Sequence, residues 1–199
     1  MNIDWLNLYK IYYEDLNLFK KKLIKSDYVK LHRYRTNDIE FELIYLFNRY
    51  KKFKNIYEIG TGHGWITSCL IHSVNNNKIG SIYSYDIKSN KVGRYLRSVF
   101  DVEYIRRNLK LFKKDIYNCY NNISDNFDFL VIDCLHDEKF VNGYVSNLLE
   151  PNLGKNKYCF IHDIFHSKKY ADYFGVGESK VVKKFLRDNN ICWFSASNV

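Results

Sequence analysis

The run Glu58-Ile-Gly-Thr-Gly-His-Gly64 sets three glycines at alternate positions, the first of them two residues after a carboxylate. Glycines in such a turn let the backbone take positive φ and let a ligand approach the main chain closely. Asp86, Asp115, Asp133 and Asp163 follow at intervals, and His136, His162 and His166 lie among the later ones. A carboxylate some 20 residues beyond a glycine turn suits ribose hydroxyls. Carboxylates with an imidazole suit a divalent ion such as Mg2+ or Mn2+. An imidazole alone titrates near neutral pH and can act as a general base. The glycine spacing is G-x-G-x-G. The dinucleotide fingerprint needs a glycine where this chain has Trp65, which argues against a nicotinamide enzyme.

These residues need elements to hold them. From residue 56 onward short apolar runs alternate with helical segments. The runs Ile56–Ile59, Ser81–Asp86, Leu109–Phe112, Phe127–Asp133 and Tyr158–Ile161 are expected strands, and Ile191–Phe194 is a short final one. Helical stretches are expected near 65–74, 90–100, 137–149 and 179–188. This alternation predicts βαβ units, an α/β class and a mostly parallel sheet. Gly60, Asp86, Asp115, Asp133 and Asp163 then fall at or just past strand ends, along the rim where such sheets bind ligands. Before residue 50 the pattern is helical. Trp5, Leu8, Tyr9, Tyr12, Leu16, Phe19 and Leu23 recur every three or four residues. A second helix follows, with Asn37 as N-cap, Glu40 three residues on, and Phe41, Ile44 and Phe47 or Tyr50 on its apolar face. The expected organisation is one domain over 1–199, with a helical cap over 1–50 and the α/β core over 55–199.

A chain of 199 residues can bury a core without staples. The five cysteines are odd in number and none stand at C-x-x-C spacing, so neither a disulfide framework nor a zinc site is indicated. No apolar run is long enough to cross a membrane. The start Met1-Asn-Ile-Asp-Trp5 lacks the basic-then-apolar form of a secretory signal, so a cytoplasmic location is expected. The net charge of +9 would attract phosphates, acidic substrates or nucleic acid. Its basic residues are spread along the chain rather than gathered in one block, which suits solvated faces equally well. A homo-oligomer is compatible with the sequence and nothing in it fixes the state.

The acidic-x-G-x-G-x-G turn, followed by an acidic end of the second strand, resembles the class I S-adenosylmethionine-dependent methyltransferases. The resemblance implies a Rossmann-like fold with a mostly parallel seven-stranded sheet, helices on both faces and here an N-terminal helical extension. It implies donor binding around Glu58, Gly60, Thr61, Gly62, Gly64, Asp86, Ile87, Asp115 and Asp133. In that reading the glycine turn passes under the donor's amino-acid portion, Asp86 takes the ribose, Asp115 lies near the adenine amino group, and Glu58 acts near the sulfonium end. The stretches Val131-Ile-Asp-Cys-Leu-His136, Leu148-Leu-Glu-Pro-Asn-Leu-Gly154 and His162-Asp-Ile164, with Gly175-Val-Gly177, look like a small-molecule subgroup that includes sugar O-methyltransferases. That resemblance covers residues 56 to about 188.

Two positions depart from the subgroup pattern. Cys134-Leu135 replaces Gly-Asp, removing a carboxylate that serves as base in related metal-dependent members, and Pro151-Asn-Leu-Gly154 replaces a Pro-Gly-Gly turn. The resemblance leaves Asp133, His162 and Asp163 as metal-ligand candidates. His136, His162 and Asp133 are the catalytic candidates, His136 first. The aromatic and basic loop Phe165–Phe174 reads as a lid or acceptor-recognition loop. The expected function is O-methylation of a small hydroxylated acceptor such as a sugar or nucleotide-sugar. The competing readings are an RNA ribose or cap methyltransferase and a non-catalytic donor-binding subunit.

Overall fold

Five parallel strands carry the fold in a computed structural model that describes residues 3–26, 38–88, 92–162, 164 and 177–193. Helix α1 (Trp5–Ile24) begins at Asp4, whose side chain accepts from the amide of Asn7 at 3.0 Å, and it buries Leu8, Leu16, Phe19 and Leu23. Lys21 and Lys22 in its last turn face the negative end of the helix dipole. Helix α2 (Asp38–Lys51) buries Phe41, Ile44 and Tyr45 and is tied to α1 by Lys20–Glu42 at 2.6 Å. The proposed cap Asn37 lies outside the described residues.

Strand β1 (Asn55–Ile59) leads through the glycine turn into α3 (Trp65–Asn77). Helix α3 is buried nearly all round, its small polar residues Thr67, Ser68 and Ser73 included, as a helix covered on two sides must be. Ile66, Leu70, Ile71 and Val74 are each at most 3% exposed, and each such side chain contributes about 1.5–3 kcal/mol of burial. The chain continues through β2 (Ser81–Asp86), α4 (Val92–Arg97), α5 (Val102–Asn108) and β3 (Leu109–Lys113). A 3₁₀ turn over Ile116–Asn118, helix α6 (Tyr120–Ser124) and β4 (Phe129–Ile132) come next. Helix α7 (Glu138–Tyr144) runs on through a π-type turn at Val145–Leu149. Strand β5 (Tyr158–Ile161) and α8 (Gly177–Asp188) complete the order among the described residues.

The strand order is β3-β2-β1-β4-β5, with every pair parallel. The chain therefore moves outward from β1 one way, then returns to build β4 on its other side. That switch point opens a crevice at the carboxyl ends of β1 and β4. Side-chain alternation splits the core in two. Ile56, Ile82, Leu109, Phe129 and Val131 face α1 to α3. Tyr57, Ile59, Tyr85, Leu130 and Ile132 face α6 to α8. On that second face rings stack across neighbouring strands, Tyr57 on Tyr83 and Tyr85 on Phe112, each at 4.7 Å between centroids.

The expected α/β architecture with a parallel sheet and helices on both faces is present. Three details differ from the sequence expectation. Among the described residues the sheet has five strands rather than seven, and 191–193 form no strand; Phe194 lies outside the described residues. The single helix expected near 90–100 ends at Arg97, and a further helix follows it from Val102 to Asn108. Short α6 was not anticipated, because five residues cannot display a helical period. Among the described residues no helix is long and apolar enough to cross a membrane.

Candidate functional site

Beyond each strand one more backbone bond continues the ladder: Gly60 N–H to Tyr85 O at 2.9 Å, Asp133 N–H to Ile59 O at 2.9 Å, and His162 N–H to Ile132 O at 2.9 Å. Gly60, Asp133 and His162 thus stand on one rim. The turn above them runs through three glycines at positive φ, +93° at Gly60, +52° at Gly62 and +82° at Gly64. A Cβ on Gly60 would lie 1.8 Å from the carbonyl oxygen of Asp133, so only glycine lets the turn close over the end of β4. A Cβ on Gly62 would meet nothing within 4 Å, so the turn presents open space above that residue.

Asp86 binds this turn directly. Its Oδ2 accepts from the amide of Gly62 at 2.7 Å and its Oδ1 from the amide of Lys88 at 2.6 Å. A carboxylate has lone pairs for further donors, so Asp86 both fixes the turn and can receive ribose hydroxyls. Ile87, next along, is 56% exposed and offers an apolar surface at the same edge.

Glu58 lies beneath the turn. Its neighbour across the β1–β2 ladder is Ser84, which donates to Glu58 Oε2. Thr67 Oγ1 lies 2.8 and 3.0 Å from the two carboxylate oxygens. With the Ser84 proton so committed, Thr61 Oγ1, 2.5 Å away, is the donor to Ser84. Thr61 is only 4% exposed, and its hydroxyl serves this internal chain. Burial pushes the Glu58 carboxyl up to about 7, against the pull of the Ser84 and Thr67 hydrogen bonds and with a further push from Asp133 and Asp86. The structure thus places Glu58 as a buried support for the turn. Asp115, at the end of β3, is exposed and caps the following 3₁₀ turn through the amide of Tyr117 at 3.0 Å.

On the other side of the crevice the side chains come from distant segments. His162 Nδ1 lies 3.0 Å from Asp133 Oδ1, and His162 Nε2 lies 3.0 Å from Glu40 Oε2 of α2. The expected pair Asp133–His162 is therefore together, joined by a carboxylate read in the sequence only as a capping residue. Asp163 and His166 lie outside the described residues, as does the Phe165–Phe174 loop. Among the described residues no group of three histidines, cysteines or acids is placed to hold a metal ion. His136 meets a different carboxylate. Its Nδ1 is 2.5 Å from Glu178 Oε2 at the start of α8, and Tyr144 donates to Glu178 Oε1 at 2.9 Å. Leu135, where the missing carboxylate would stand, is 60% exposed.

Sequence reasoning missed Ser84, Thr67, Glu40, Tyr144 and Glu178. Ser84 was accessible once β1 and β2 were aligned in register. The others depend on helix packing, which leaves no spacing signal.

Comparison with known proteins adds three findings. A family described as a methyltransferase domain matches residues 57–164, more than half of the chain. A search of curated proteins finds no match. Solved structures share the fold at low identity. The SAH-bound Podospora anserina methyltransferase PaMTH1 is 14% identical with a TM-score of 0.58, over 94% of this chain and 88% of that one. An O-methyltransferase from Bacillus cereus in complex with SAH is 14% identical with a TM-score of 0.56, over 85% and 76%. The O-methyltransferase TomG from Streptomyces achromogenes, in complex with SAM and involved in tomaymycin synthesis, is 10% identical with a TM-score of 0.54, over 94% and 86%.

Proposed function

The chain belongs to the methyltransferase-domain family, and from that premise we propose that it moves a methyl group from S-adenosylmethionine to an oxygen of a small hydroxylated acceptor. The observation that carries this reading is the pinned glycine turn. Gly60 closes on the Asp133 carbonyl, Gly62 leaves open space, and Asp86 stands beside it. Such a turn at the switch point of a parallel sheet suits a ligand that carries a ribose and a polar tail. Gly60, Gly62 and Gly64 would pass under the donor's amino-acid portion, with Asp86 on the ribose, Ile87 at the purine edge and Asp115 beyond it. Three solved structures of the same fold hold SAH or SAM, which supports this donor.

The bound donor supplies an electrophilic sulfonium methyl, which passes to the acceptor oxygen as the carbon–sulfur bond breaks and leaves a neutral thioether. The chain's own part is to remove the acceptor's proton and exclude water. His136 is assigned as general base, because its imidazole is held by a carboxylate and it follows the end of β4. It takes the hydroxyl proton as the new oxygen–carbon bond forms, then passes that proton to solvent. Asp133 and His162 form part of the wall facing the donor. Of the three nominated ligands for a Mg2+ or Mn2+ ion, Asp133 and His162 are described, and both ring nitrogens of His162 already face the carboxylates of Asp133 and Glu40. No step is assigned to a metal.

The first acceptor to test is a sugar or nucleotide-sugar. Lys88, Lys113 and Lys114 at the ends of β2 and β3 are exposed cations on the same rim, suited to phosphates. The test is incubation with S-adenosylmethionine and a panel of nucleotide-sugars, free sugars and capped RNA. The expected result is release of S-adenosylhomocysteine with a methylene's gain in mass on a sugar-containing member. Methylation of capped RNA alone would overturn the acceptor class.

A further inference from the structure

We infer that Glu178, held in turn by Tyr144, is a positioning residue that orients His136 as the base, an inference that rests on the methyl-transfer reading above. Glu178 opens α8, forty-two positions from His136, so a packing contact must bring the two together. Gly177 supplies it. A Cβ there would lie 2.9 Å from Glu138 Cβ and 3.2 Å from the Glu138 backbone nitrogen, so only glycine lets the start of α8 lie against the start of α7.

The result is a buried carboxylate with both oxygens engaged. Oε2 faces His136 Nδ1 at 2.5 Å, and Oε1 accepts from Tyr144 Oη at 2.9 Å. The Glu178 side chain is 4% exposed and that of His136 18%. Tyr144 is fully buried, and burial together with Glu178 pushes its hydroxyl far above the usual phenol range, so it remains a donor. An acceptor-only carboxylate requires the proton of a neutral imidazole on Nδ1, which leaves Nε2 as the atom that takes the acceptor's proton. The imidazolium formed in that step lies against a buried negative charge already in place, the logic of carboxylate-oriented histidines in general. Among the described residues, the titratable groups nearby include Cys134 and Asp133 after β4, the α7 cap Asp137, Glu138, and Cys159 of β5 beside Tyr144.

A test that needs no acceptor is nitrogen NMR of the histidine-labelled, ligand-free chain, with His136 assigned by comparison with His136→Ala. The wild-type neutral ring should carry its proton on Nδ1. Glu178→Gln should lower the pH midpoint of His136 by about 1–3 units, because a neighbouring anion is lost. Tyr144→Phe should raise it slightly, because Glu178 loses a hydrogen bond that disperses its charge. Opposite movements are what a merely structural contact would not produce. If Glu178→Gln fails to fold, the Tyr144→Phe shift and the wild-type tautomer still decide the matter. An Nε2-protonated ring in the wild type, or midpoints unmoved by both changes, would overturn the inference. On any acceptor that turns over, Glu178→Gln should cut kcat by about a hundredfold, with affinity for S-adenosylhomocysteine unchanged. Should the NMR shifts appear while His136→Ala leaves turnover intact, the positioning holds and the assignment of His136 as base fails.

Discussion

The two sides of the crevice are built by different means. The proposed donor side comes mainly from one continuous stretch, Glu58 to Ile87, with Asp115 beyond it, and the shape of its turn is set by main-chain angles and amides. The proposed acceptor side comes from α2, the segment after β4, the end of β5 and the start of α8, and is set by side chains from positions as far apart as Glu40 and Glu178. A backbone-built site tolerates little change in residue type. A side-chain-built site can alter its chemistry by single substitutions while the fold persists.

Substitutions should divide along this line, and the largest effect is expected on the acceptor side. His136→Ala removes the proposed base, so kcat should fall by about 10²- to 10⁴-fold while calorimetry shows unchanged S-adenosylhomocysteine binding. Comparable loss of donor affinity would erase the division between the two sides.

Gly60→Ala attacks the backbone-built side. A side chain at φ +93°, aimed at a carbonyl oxygen 1.8 Å away, cannot be accommodated without moving β4. Stability should drop by on the order of 3 kcal/mol, read by denaturant unfolding, and donor binding should be lost with it. Gly62→Ala, which meets no neighbour, carries only the backbone cost of its φ of +52° and should cost about 1–2 kcal/mol. Equal effects at the two glycines would mean that contact with β4 does not shape the turn.

A third effect is a pH dependence of stability. Glu58 is raised from 4.5 to about 7 in the folded chain. Between those values the unfolded chain has released the proton and the folded chain still holds it, so Glu58 makes stability fall as pH rises, levelling off above about 7. The penalty is at most about 3 kcal/mol. Glu58→Gln should flatten this part of the curve, measured by urea unfolding from pH 4 to pH 8. An unchanged slope would show that the carboxyl is not buried as described.

The same division governs how much the sequence revealed. The places of the glycine turn and Asp86 on the rim were legible because they depend on local spacing and on strand ends. Asp133 was legible for the same reason. Glu40 looked like a capping residue, and Glu178 looks like an ordinary acid in a first helical turn, where it would favour the dipole in any helix. Only packing shows that each meets an imidazole. Helices α5 and α6 were missed because they are too short to display a period. The final strand was expected from an apolar run at Ile191, but that residue packs beside α8.

The most direct test of the central claim is calorimetric titration of S-adenosylhomocysteine into the chain and its Asp86→Ala variant. One site per chain is expected, with a ten- to hundredfold weaker site in the variant, the loss of a charge-assisted hydrogen bond worth about 1.5–3 kcal/mol. Absence of heat with the wild type, or equal affinity in the variant, would contradict it.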